Sequence, residues 1–223
     1  GVSRFVLPAV ELANCAQVQA LAADLPGSVC AWGVHPLYVD RAREEDLQAL
    51  RSLLAAGGAA AVGEIGLDAF EPEPDPRRRE WFFAEQLKLA REFDLPVILH
   101  VRRAQDEILK LLRRIRPPGG IAHAFNGSVQ QAEAFIKLGF RLGFGGAMTY
   151  AGSRRIRQLA AELPLSAIVL ETDAPDIPPA WGAGLRNDPA NLPRFAEVLA
   201  GLRGMPVDEV IEATGANALA AVP

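Results

Sequence analysis

The 223 residues predict an α/β fold of the TIM-like (β/α) barrel type, with seven of its eight strands in this chain. Three observations carry that expectation. Short, near-continuous apolar runs alternate with longer segments of helical periodicity, the pattern of a parallel sheet covered on its faces. Seven such runs can be counted along the sequence. Four of them finish on residues that bind metals: Glu64, His100, His123 and the acids Glu171 and Asp173. In (β/α) barrels chemistry sits at the C-terminal ends of the strands, whereas an open doubly wound sheet gathers it at one switch point.

The elements follow in order. Arg4–Pro8 is a short apolar run and reads as a strand, and Asn14 is placed to cap a helix running towards Leu25. Cys30–Val34 is the second strand, stopped by His35-Pro36. Glu44–Ala56 carries Leu47, Leu50, Leu53 and Leu54 on one face, with Gly57-Gly58 as its stop. Ala59–Ile65 is the third strand. Pro72–Pro76 is a proline-rich loop, and Pro76 opens a helix to about Phe93 with Phe83, Leu87 and Ala90 inward. Pro96–His100 is the fourth strand. Ile108, Leu111, Leu112 and Ile115 mark one buried helical face. Ile121–His123 is the fifth strand. Ser128 and Gln131 form a capping box for a helix to Leu138, with Gly139 after it. Phe140–Phe144 is the sixth strand. Ser153 caps a helix with Ile156, Leu159, Ala160 and Leu163 inward, and Ala167–Leu170 is the seventh strand. A Pro/Gly-rich loop over Ala174–Pro189 precedes two closing helices, with Phe195, Val198, Leu199, Leu202, Val210 and Ile211 inward.

Half of the residues are apolar, so one core of domain size can be buried, and residues 1–223 are expected to form a single domain. The net charge of -4 argues against a surface coated for tight nonspecific nucleic-acid binding, but it leaves room for a local basic rim. Cys15 and Cys30 make no disulfide framework; reduced thiols, no disulfide-linked partner and a cytoplasmic protein are expected. No apolar run approaches the ~20 residues of a membrane helix, and no signal peptide opens the chain.

Each candidate residue has a plain structural explanation on its own. Glu64 can pair with an arginine, a histidine after a strand can be a satisfied half-buried side chain, and Asp173 before Ala174-Pro175 can be a turn residue. Together they are harder to dismiss, because the chain has only three histidines and all three follow expected strands. Several carboxylates at one mouth call for a cation or a tight network. Carboxylates with imidazoles suit zinc, manganese or magnesium alike. A carboxylate between two ions holds them ~3.5–4 Å apart, the spacing that activates water and clamps a phosphoryl oxygen. On this reading Glu64 is the bridge, His100 and His123 bind one ion, and Asp173 binds the other or takes the proton of the attacking water.

Around these residues lie arginines. Arg102 and Arg103 follow His100 and are read as phosphate contacts, since guanidinium forks match phosphate oxygens. Arg77-Arg78-Arg79 and Arg113-Arg114-Arg116 are read as solvated. Tyr150 and Trp181 can stack on a base or pack in loops.

Gly63-Glu64-Ile65-Gly66-Leu67-Asp68, Leu95-Pro96-Val97-Ile98-Leu99-His100, His123-Ala124-Phe125-Asn126-Gly127-Ser128 and Glu171-Thr172-Asp173-Ala174-Pro175 resemble the serial motifs of the TatD-like metal-dependent nucleases. Gly33-Val34-His35-Pro36 resembles that family's short histidine loop. The resemblance runs in order from about Val6 to Asn217. It implies an amidohydrolase-related barrel that hydrolyses phosphodiesters of DNA, often as a 3′-to-5′ exonuclease, with two divalent ions. It implies Glu64 as bridging ligand and catalytic residue beside Asp173, with His100, His123 and Asp173 as further metal ligands. His35 and Asp68 join Arg102 and Arg103 as substrate-binding residues. The family opens with a strand ending in His-x-His, and this chain has none, so a first strand is expected to be missing before Gly1. Without that strand one ion or none is expected. Two alternatives remain: an amidohydrolase-type enzyme on a small amide or ester, and a non-catalytic barrel if the His-x-His strand is truly absent.

Overall fold

A computed structural model describes residues 2–70 and 75–223. Residues 71–74, most of the expected proline-rich loop, lie outside the described residues. Two compact units divide the chain, Ser3–Gly120 and Ile121–Ala221.

In the first unit four parallel strands run in sequence order: β1 (Phe5–Pro8), β2 (Ser28–Trp32), β3 (Ala59–Asp68) and β4 (Val97–Arg102). The helices between them are α1 (Cys15–Asp24), α2 (Glu44–Ala56) and α3 (Pro76–Glu92), and α4 (Gln105–Ile115) follows β4. Strand β3 is the organising element. Its six residues Ala61–Gly66 are buried, as a parallel strand covered on both faces requires. Helix α3 supplies much of that cover through Phe82, Phe83, Leu87 and Ala90, each at most 1% exposed. Helix α4 buries the predicted Ile108, Leu111, Leu112 and Ile115. The close approach of β4 to β3 depends on Gly66, whose φ is 155° and which pairs with His100. A Cβ there would stand 2.0 Å from the His100 carbonyl oxygen, so no other residue fits.

The second unit holds β5 (Gly120–Ala122), β6 (Phe140–Phe144) and β7 (Ile168–Leu170) with α5 (Val129–Lys137), α6 (Arg154–Glu162), α7 (Leu192–Arg203) and α8 (Val207–Ala221). Strands β6 and β7 pair in parallel. The aromatic core of α5 and β6 is Phe125, Phe135 and Phe140, stacked edge to face.

The strand–helix alternation is the expected one, with seven strands among the described residues. The differences are local. Strand β3 runs three residues further than Ile65, carrying Asp68 into the sheet. Strand β2 starts and ends two residues early, so His35 lies on the turn after it. The Asn14 side chain does not cap α1; its Oδ1 accepts the N–H groups of Val10 and Glu11 and closes the preceding turn instead. Ser153 makes no side-chain cap to α6, whereas Ser128 and Gln131 bond reciprocally as the capping box predicts. Ile211, expected inward, is 49% exposed, and Thr214 is buried on α8 instead. Arg79, expected in solvent, is buried and donates to the Asp68 carbonyl.

Candidate metal centre

The first unit brings Glu64, Asp68 and His100 together with His35. His35 Nε2 lies 3.1 Å from His100 Nδ1 and 3.4 Å from Glu64 Oε1, and His100 Nδ1 lies 2.9 Å from the same oxygen. Two ligands each ~2.1 Å from one tetrahedral ion sit roughly 3.4 Å apart, so this donor spacing suits a shared cation. His35, Glu64 and His100 are the group of metal-binding side chains brought within 4.8 Å of one another among the described residues.

Hydrogen bonds assign the nitrogens. His100 Nε2 is 2.9 Å from Asp68 Oδ2, a carboxylate whose side chain is closed to solvent. With Nε2 donating to Asp68, Nδ1 is left to present a lone pair beside Glu64, where a cation or the His35 Nε2–H, 3.1 Å away, can meet it. A carboxylate behind a metal-binding histidine is the usual device for holding ring and tautomer. His35 is arranged the other way. Its Nδ1 accepts the Leu37 N–H at 3.2 Å, so Nε2 bears the proton and presents an N–H to the cluster. Asp68, grouped by the sequence with substrate contacts, therefore faces His100 rather than solvent.

The surroundings hold these side chains in place. Gln86 on α3 grips the residue before His35: its Oε1 accepts the Val34 N–H at 2.6 Å and its Nε2 donates to the Val34 carbonyl at 3.1 Å. Asp68 Oδ1 accepts the Phe70 N–H at 2.8 Å. Beyond it Arg102 and Arg103 rest on the exposed Phe70 ring.

The second unit brings His123 and Asp173 together with Glu171. His123 Nδ1 lies 3.5 Å from Glu171 Oε1 and 3.9 Å from Asp173 Oδ1. Glu171 Oε1 also accepts the Ala124 N–H at 2.5 Å. The Glu171 carboxylate lies over Gly143 of β6, where a Cβ would be 2.1 Å from its Oε2. Asp173 has a φ of 57°, a backbone region that asparagine and aspartate tolerate better than most residues. The buried Asn187 steadies this turn by donating to the Thr172 and Ile177 carbonyls. Tyr150 donates to the Pro178 carbonyl and Trp181 to Asn191, so both are tied into loop packing.

Gln86 and Phe70 were not singled out from the sequence, and Glu171 was read only as one of the two acids ending the seventh apolar run, without a role of its own. Gln86 had a weak signal, a polar residue on the apolar face of α3.

The TatD related DNase family matches residues 1–222. A metal-dependent hydrolase of Escherichia coli K12, YjjV, is 43% identical over 216 residues, covering 96% of this chain and 83% of its own. The 3'-5' ssDNA/RNA exonuclease TatD of Erwinia billingiae is 32% identical over 228 residues, covering 98% and 87%. The crystal structure of the E. coli TatD homologue YjjV superposes with a TM-score of 0.95 at 41% identity, covering all of this chain and 87% of the other. The TIM-like (β/α) class expected from the alternation of elements is thus the class found. With a match along nearly its whole length and a histidine–carboxylate cluster fitted to a cation, the chain belongs to the TatD-related family of metal-dependent hydrolases.

Proposed function

We propose that this hydrolase cleaves phosphodiester bonds of DNA, working from the 3′ end of a strand. The observation that carries the reading is the convergence of Glu64 and His100, 2.9 Å apart with Asp68 behind the imidazole, a donor pair spaced for a cation. The relative named as a 3'-5' ssDNA/RNA exonuclease supports the choice of nucleic acid. So do Arg102 and Arg103, two guanidinium groups close to the cluster.

The residues take the following roles. Glu64 and His100 bind metal in the first cluster, and His123 and Asp173 are metal ligands in the second. A divalent ion, magnesium, manganese or zinc, supplies an activated water and offsets charge on the phosphoryl oxygen; two ions are proposed. Asp68 keeps the His100 ring and tautomer fixed. His35 uses its Nε2–H to hold a phosphate oxygen of the substrate, which agrees with a substrate contact better than with a third ligand, because a ligating Nε2 would have to give up that proton. Asp173, with its side chain 33% exposed, takes the proton of the attacking water. Glu171 stands 3.5 Å from His123 Nδ1 and accepts the neighbouring Ala124 N–H, placing its charge beside that imidazole.

The test compares 5′-labelled single-stranded DNA with small amides and esters, using the full chain with added magnesium or manganese. Stepwise shortening of the DNA from the 3′ end is expected, with His100→Ala losing metal while remaining folded. Turnover of amides or esters alone would overturn the proposal.

A further inference from the structure

Phe70 lies two residues beyond Asp68 and is 45% exposed. An exposed phenylalanine alone needs no explanation, but this one is held and covered in a particular way. Asp68 Oδ1 fixes its backbone N–H, while Oδ2 of the same carboxylate contacts His100 Nε2 and lies 3.7 Å from Arg102 Nη1. The ring, the arginine and the metal-facing imidazole therefore hang from one buried acid. The Arg102 guanidinium carbon is 3.8 Å from the Phe70 centroid and that of Arg103 is 4.5 Å. Arg103 has a φ of 56°, a left-handed conformation that arginine seldom adopts. That backbone turn lets two consecutive arginines, whose side chains would otherwise diverge, reach one ring. The Asp68 carboxylate faces one of these guanidinium groups, and both lie close over the exposed ring.

We infer that Phe70, with Arg102 and Arg103, forms a stacking subsite for the base of a nucleotide next to the bond being cut. This rests on the phosphodiesterase reading and adds a residue that selects the substrate. Guanidinium planes and aromatic rings offer flat faces on which a base stacks, and the guanidinium edges take the adjoining phosphate. A base within a duplex has both faces covered by its neighbours, so the subsite selects an unpaired strand. Phe70 touches the base and not the reacting atoms; it is a specificity residue.

The experiment measures binding of the full chain to fluorescein-labelled phosphorothioate ten-mers, which resist cleavage: a single strand, an abasic strand of the same backbone, and a duplex. Phe70→Ala should weaken the single strand roughly tenfold, the scale of one lost base stack. The abasic strand and the duplex should be unchanged. Phe70→Trp should restore the preference, while Phe70→Leu, which keeps apolar bulk without a ring, should behave as alanine does. Arg103→Ala should weaken single and abasic strands together and flatten the dependence on salt. Equal effects of Phe70→Ala on the single and abasic strands, or no effect on either, would overturn the stacking subsite while leaving phosphodiesterase activity standing. Wild-type protein that binds no strand would overturn the subsite and the phosphodiesterase reading together.

Discussion

At the scale of single residues, the cluster depends on partners that never touch a cation. Gln86 is 1% exposed and satisfies both backbone groups of Val34, the residue before His35. Replacing it by leucine leaves a buried N–H and a buried carbonyl unpaired, at about 1–3 kcal/mol each. Gln86→Leu should therefore lower stability by about 2 kcal/mol or more in chemical denaturation, and it should raise KM more than it lowers kcat because His35 is displaced. A KM unchanged from wild type would separate His35 from substrate binding. The cysteines are of the opposite kind. Burial, reinforced by the neighbouring Cys30, pushes the Cys15 thiol up to about 11, and both thiols are free and buried. Such a thiol is inert near neutral pH. Because its folded value is raised, the associated stability is intact below the ordinary thiol value and is lost as pH rises towards 11.

At the scale of elements, two serines that look alike in sequence behave differently. Ser128 bonds to Gln131 and Gln131 bonds back, so the start of α5 is closed by two reciprocal hydrogen bonds. Ser153 stands before α6 without a side-chain cap. Ser128→Ala should cost about 1 kcal/mol in thermal or chemical unfolding, and Ser153→Ala a few tenths at most. Equal costs would mean that Ser128 is not acting as a cap. The sequence held a signal of this difference, because a glutamine follows Ser128 at the third helical position and an isoleucine, which cannot bond back, follows Ser153 there. Other boundaries were not legible. The extension of β3 to Asp68 depends on pairing with β4, where Asp68 lies opposite Arg102, and nothing local to Gly66-Leu67-Asp68 announces it. Arg79 looked solvated within a run of three arginines, and only the β3 carbonyl it reaches explains its burial.

At the scale of the whole molecule, period and spacing made the class of fold legible, because alternating apolar runs and amphipathic helices leave few architectures. The proposed ligands Glu64, His100, His123 and Asp173 drew notice for a related reason, since each stands at or just after the end of an apolar run. Their surroundings did not, because Gln86 acts through tertiary contacts with residues far away in sequence and the partners of Phe70 lie at the end of another strand. Among the described residues no helix is long and apolar enough to cross a membrane. A cation held by folded chains and not by unfolded ones stabilises the fold by mass action. Manganese at a hundredfold above its dissociation constant should add about 2.7 kcal/mol and raise Tm, and chelation should reverse it. The Glu64→Gln variant should show a much smaller rise in the same thermal scan. A full rise in that variant would remove Glu64 from the ligand set. One further consequence belongs to Gly143, where a Cβ would stand 2.1 Å from the Glu171 carboxylate, whereas at Gly145 the clash, at 2.4 Å, is with the Glu171 backbone oxygen and holds for any residue there. Gly143 and Glu171 therefore form one unit of inheritance. A lineage that gains a side chain at Gly143 must displace the acid, and a lineage that loses the acid is released from Gly143 but not from Gly145. Among descendants of a common ancestor, the pair should be kept or lost together, leaving a trace of the second cluster in strand β6 even where its histidine has drifted.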